Sequence, residues 1–154
     1  EVHGGTLRFI ITKGYGQSEE VQKLLQFEHD NPINWPNFNK QIHQLKINLV
    51  ERLQYYKDTG IKVIGYGAAA KGTVLLNYCG IGRDLLPVVM DNTKDKQGKY
   101  VPGTGQFIIP VEEISLWNPD VVLILAWNHA KEMAGRIEYP VDTFITPNLV
   151  QVLA

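Results

Sequence analysis

The stretch Gly65-Tyr66-Gly67-Ala68-Ala69-Ala70-Lys71-Gly72 follows the apolar run Ile61-Lys62-Val63-Ile64 and satisfies G-x-G-x-x-A. Such a turn passes the chain from the end of a β-strand to the start of a helix. Gly65 and Gly67 allow a tight bend and close backbone approach, and Ala70 lets the helix pack near the strand. The N–H groups exposed at the helix start attract an anion. Lys71 is additional to this pattern: a dinucleotide turn needs no cation there, whereas a lysine supplies a point charge for a phosphate oxygen. The stretch is not a P-loop, which requires G-x-x-x-x-G-K-[ST].

From this turn onward the rhythm is strand, loop, helix. Residues 61–64 form strand A, and a helix over 68–78 is stopped by Cys79-Gly80. Strand B (86–90) precedes the polar stretch 91–98. Strand C (107–109) leads into a helical turn within 111–116, and strand D (121–125) is continuously apolar, as a strand covered on both faces should be. A helix over 130–137 precedes strand E (141–145). Alternation at this spacing predicts an α/β, Rossmann-like three-layer domain over 61–154. Its sheet is mainly parallel and five-stranded, and right-handed crossovers give the order C-B-A-D-E.

Residues 1–60 read as an N-terminal strand plus a helical extension. The strand is 7–12, followed by a helix with Ser18 as N-cap, Glu19 and Glu20 in its first turn, and an apolar stripe of Val21, Leu24 and Leu25. Asp30-Asn31-Pro32 breaks it. A longer helix begins near Asn34-Trp35-Pro36; Phe38, Ile42, Leu45, Leu49, Leu53 and Tyr56 line one face, and Thr59-Gly60 closes it. His43 falls beside that stripe and reads as a solvated or rim histidine. An exposed strand at 7–12 could pair with another copy, so a homodimer is expected.

Composition narrows the function classes. The chain has 154 residues, 44% apolar and 20% charged, with net charge −1, which fits a globular domain and argues against broad binding to nucleic acid or an acidic membrane. The longest apolar run, 121–127, is far short of the ~20 residues a bilayer-spanning helix needs. With the single cysteine, Cys79, and no visible leader, a cytoplasmic location is expected. The opening residue, Glu1, suggests a piece of a longer protein.

Ligands of such sheets bind beyond the carboxyl ends of the strands. Asp91, at the end of strand B, could grip ribose hydroxyls or serve as a turn aspartate. Trp127 could stack a base or sugar and Asn128 hydrogen-bond one; a core tryptophan is the other reading. His129 begins a helix at the surface, and Cys79 packs at a helix end. No catalytic triad or metal cluster assembles from four histidines and one cysteine.

The segments YGAAAKGTVLLNYCGIGRDLL (66–86), MDNTKDKQGKYVPGT (90–104) and PDVVLILAWN (119–128) resemble the C-terminal domain of SAM-dependent C-methyltransferases acting on nucleotide-linked deoxysugars. VHGGTLRF (2–9) is similar to the segment that closes the preceding methyltransferase domain of that family, which makes His3 an edge residue. The resemblance implies a parent with a zinc-binding N-terminal region, a central SAM domain and this domain. A dTDP-sugar would be held between the last two. It also implies a chemistry of proton removal beside a keto group and attack of the enolate on the SAM methyl, with its catalytic residues upstream and this fragment inactive alone.

Gly65, Gly67, Lys71, Asn77, Asp91, Lys96, Gly98, Gly103 and Thr104 match the family's pattern; with Tyr66, Ala68, Trp127 and Asn128 they form the expected substrate-binding set. Ala69 stands where proline is common, and Thr73 where asparagine is expected. Two other readings stay open: an NAD(P)-binding Rossmann domain of an oxidoreductase, and an architectural or dimerisation domain without ligand.

Overall fold

The computed structural model describes residues 10–11, 13–14 and 16–153. The chain forms two compact units, one ending at Ile42 and one beginning at His43.

In the first unit, helix α1 (Glu19–Asp30) starts at Ser18, whose hydroxyl accepts the Val21 N–H at 3.4 Å. Asn31 ends it by donating its backbone N–H to the Phe27 carbonyl. Its stripe of Val21, Leu24 and Leu25 is exposed, and α1 buries no residue. Helix α2 (Trp35–Asp58) opens with the Asn34 side chain accepting the Asn37 N–H at 3.0 Å. The strand expected over 7–12 lies outside the described residues except for Ile10 and Ile11, which are exposed and in no strand.

The second unit begins inside α2, not at the first strand. Of the expected α2 stripe, Leu49, Leu53 and Tyr56 are buried in this unit's core, while Phe38 is exposed. His43 is exposed, and Gly60 closes the helix with φ +76°.

The elements that follow are β1 (Val63–Tyr66), α3 (Ala70–Cys79), β2 (Val88–Met90), β3 (Phe107–Ile109), α4 (Ile114–Trp117), β4 (Val121–Ile124), α5 (Ala130–Ala134), β5 (Thr143–Ile145) and β6 (Gln151–Val152). The sheet order is β3-β2-β1-β4-β5-β6. The first five strands are parallel in the order C-B-A-D-E; the sixth, β6, had no expected counterpart and pairs antiparallel with β5. A turn through Leu149, at φ +62°, returns the chain for that pairing.

Alternation of side chains divides the core into two layers. Val63, Val89, Leu123 and Ile145 pack with Leu49, Leu53 and Leu76 on the face of α2 and α3. Ile64, Tyr66, Met90 and Ile124 pack with Ile114, Ala130 and Ala134 on the face of α4 and α5. Asp120 starts β4 by accepting the Lys62 N–H on its side chain at 2.7 Å. Beside edge strand β3, Gly98 donates its N–H to Ile108 O at 2.9 Å, and Ile108 returns its own to Lys99 O at 2.8 Å. That strap covers part of an otherwise open edge.

Candidate functional site

The first glycine of the motif lies in β1 rather than in the turn. A Cβ on Gly65 would lie 2.9 Å from Val89 Cγ2, so its missing side chain makes room for core packing. Tyr66 is also in the strand and buried. The bend falls at Gly67, which has φ +93° and donates its N–H to Met90 O at 2.7 Å. A Cβ there would lie 3.0 Å from Met133 Cε, so conformation and space both select glycine. Ala69 then donates its N–H to Gly67 O at 2.7 Å, closing a three-residue turn.

The residue that lets α3 approach the sheet is Gly72, not Ala70. A Cβ on Gly72 would lie 2.8 Å from Leu125 Cβ, whereas Ala70 is exposed. Ala69, the N-cap of α3, has no side-chain group with which to cap the helix. The first N–H groups of α3 are therefore left without a side-chain cap and carry the partial positive charge of a helix start.

Lys71, in the first turn of α3, is exposed and lies with Nζ 5.7 Å from the Trp127 ring centroid. Among the described residues it has no carboxylate partner. Trp127 belongs to the turn after β4 and is 37% exposed, which excludes a core position; Asn128 beside it is exposed. The turns after β1 and β4 thus bring a cation and an aromatic face together.

Asp91 is 6% exposed at the end of β2. One carboxylate oxygen accepts the Thr93 N–H at 2.8 Å and the other the Lys96 ammonium at 3.0 Å. Its backbone carbonyl accepts the Gln97 amide at 2.9 Å. Burial pushes the Asp91 carboxyl up, but the Thr93 bonds and Lys96 together outweigh it and hold it below the ordinary value. Asp91 is a turn aspartate that organises the loop after β2.

Asn77, Gly103 and Thr104 are brought together away from this region, two turns of α3 beyond Lys71. The Asn77 amide donates to Thr73 O at 2.8 Å and to Pro102 O at 2.9 Å. Gly103 has φ +84°, and a Cβ there would fall on the Asn77 amide oxygen. Thr104 donates its hydroxyl to Gln106 Oε1 at 2.5 Å, and buried Gln106 donates to Ile81 O at 2.8 Å. These residues clamp the loop before β3 onto α3. Cys79 is buried at the end of α3, and that burial pushes its thiol up.

A cleft of about 280 Å³ opens at the carboxyl ends of β1, β2 and β4, where the strand order reverses. Tyr66, Gly67, Asp91 and Lys96 line it, joined by residues absent from the expected set: Asn92, His129, Glu132 and Arg136. The Asn92 amide donates to the Tyr66 hydroxyl at 3.3 Å. Arg136 Nη2 meets Glu132 Oε1 at 2.5 Å, and His129 Nδ1 lies 3.7 Å from Glu132 Oε2. Their spacing of three and then four residues was the available signal, because it places all three on one side of a helical turn. Lys71, Trp127 and Asn128 are not among the cleft's lining residues.

Among the described residues no group of three His, Cys, Asp or Glu could hold a metal, and no helix is long and apolar enough to cross a membrane. The C-methyltransferase C-terminal domain family matches residues 1–145. C-methyltransferase NovU of Streptomyces niveus is 31% identical over 140 residues, covering 86% of this chain and 33% of NovU. The chain thus spans about a third of that relative's length. With the sheet order, the turn at Gly67 and this match together, the chain belongs to the C-methyltransferase C-terminal domain family.

Proposed function

We propose that the chain is the substrate-binding C-terminal portion of a cytoplasmic, SAM-dependent C-methyltransferase. In this reading it holds a nucleotide-linked keto-deoxysugar, such as a dTDP-sugar, against an upstream SAM-binding portion, which carries the catalytic groups. The observation that carries the reading is Lys71: an ammonium without a carboxylate partner among the described residues, in the first turn of a helix whose N-cap has no capping side chain, beside the Trp127 ring. A diphosphate suits both the cation and the uncapped N–H groups. A base or sugar suits the half-exposed indole.

The residues here fit the adenosine end of SAM or NAD poorly. The acid at the end of β2 that would take ribose hydroxyls, Asp91, already accepts from Thr93 and Lys96. SAM is therefore assigned to the upstream portion, and the chain alone is expected to be inactive. Calorimetric titration of the chain with dTDP-glucose, NAD and SAM tests the reading: dTDP-glucose is expected to bind most tightly, and preference for NAD would sink it.

A further inference from the structure

Helix α1 is amphipathic, and among the described residues nothing buries its apolar side. Val21, Leu24, Leu25 and Phe27 fall on that side at helical spacing, and Trp35 and Phe38 repeat the spacing in the first turn of α2. All six are between 37% and 63% exposed, and the Trp35 and Phe38 rings meet edge to face at 5.9 Å with neither one buried. The opposite side of α1 is already satisfied: Lys23 Nζ lies 3.8 Å from Glu19 Oε2, and the Gln26 amide donates to Asp30 Oδ1 at 2.9 Å. Water therefore suits that side and not the other. A helix of 12 residues is marginal in water by itself, because most helical stability comes from packing an apolar face. α1 buries no residue, whereas the later turns of α2 bury Leu49 and Leu53 completely. The apolar side of α1 thus calls for a partner that the described residues do not supply.

We propose that the apolar side of α1, with Trp35 and Phe38, is the docking surface for the upstream portion of the same protein. The proposal rests on the methyltransferase reading, which supplies that portion, and adds the surface through which it joins this chain. Two observations select this occupant over a second copy. The chain spans about a third of the length of NovU, so most of a protein of that size lies outside it. Six apolar side chains also fall well short of the roughly 20–30 residues a side that a stable free interface uses. A tethered partner needs far less, because the linkage holds it at an effective concentration on the order of millimolar. The matching surface is an apolar groove that takes Val21, Leu24 and Leu25 as its anchors.

The test measures amide hydrogen exchange in α1, both in this chain and in the full-length gene product. In this chain α1 should exchange nearly as fast as an unstructured peptide at every protein concentration. In the full-length product, burial of the stripe should slow it roughly a hundredfold or more. Leu24→Glu should abolish that protection, and Lys23→Gln, on the opposite side, should leave it in place; loss in both variants, or in neither, overturns the proposal. Leu24 lies outside the core, so Leu24→Glu should leave the melting temperature of this chain unchanged. Exchange in the full-length product as fast as in this chain also overturns the proposal. So does protection in this chain alone that grows with concentration, the mark of a second copy. SAM titration of the full-length product tests the methyltransferase reading separately. SAM binding with an unprotected α1 overturns only the docking; a protected α1 without SAM binding keeps the docking and overturns that reading.

Discussion

Replacing Gly103 with alanine tests whether the loop before β3 is a structural clamp. Gly103 has φ +84°, where a side chain costs about 1–2 kcal/mol. The added Cβ would also displace the Asn77 amide, which holds Thr73 O at 2.8 Å and Pro102 O at 2.9 Å. Two such hydrogen bonds are worth about 1 kcal/mol each, so Gly103→Ala should cost about 3–4 kcal/mol in all. Asn77→Ala removes only the clamp and should cost about 2 kcal/mol. In the double variant the clamp is already gone and only the backbone strain is added, again about 3–4 kcal/mol in total. Urea unfolding of the four proteins should thus show a coupling of about 2 kcal/mol between the two positions. Simple addition to about 5–6 kcal/mol would refute the reasoning, because the two substitutions would then be acting on separate features.

Leu53→Ala, at a fully buried position, should cost about 2–5 kcal/mol in urea unfolding; a loss near zero would mean that α2 is not part of this core. Because the folded-state pKa of Asp91 is depressed, its contribution to stability is complete above the unfolded aspartate value of about 3.9 and is lost as pH falls through the lower folded value. Asp91→Asn should flatten this part of the acid limb of the stability–pH curve; an unaltered limb would contradict the assigned bonds. Gly72→Ala should destabilise by about 1–3 kcal/mol through its close contact with Leu125.

The parallel order of five strands was legible because each apolar run is separated by a crossover and crossovers share one hand. The end of β1 was displaced by two residues because Gly65 and Tyr66 resemble turn residues in isolation. Only the packing of Val89 and Leu125 into the space beside Gly65 reveals it as strand. The two-residue β6 carries too little pattern to stand out. The positions of Gly67, Lys71 and Trp127 just beyond β1 and β4 were legible from the rhythm of strands and helices. The Asn77–Gly103 clamp joins residues 26 apart through a shape contact that no local pattern encodes. Glu132 and Arg136 were missed because a paired acid and base on a short helix resemble an ordinary solvated face.

The central claim is that Lys71 meets the phosphates of a sugar nucleotide. Calorimetric titration of dTDP-glucose into wild type and Lys71→Ala tests it most directly. An exposed lysine with no carboxylate partner among the described residues can be removed without loss of stability, so the melting temperature should hold while affinity falls roughly tenfold or more. Equal affinity in the two proteins would contradict the claim.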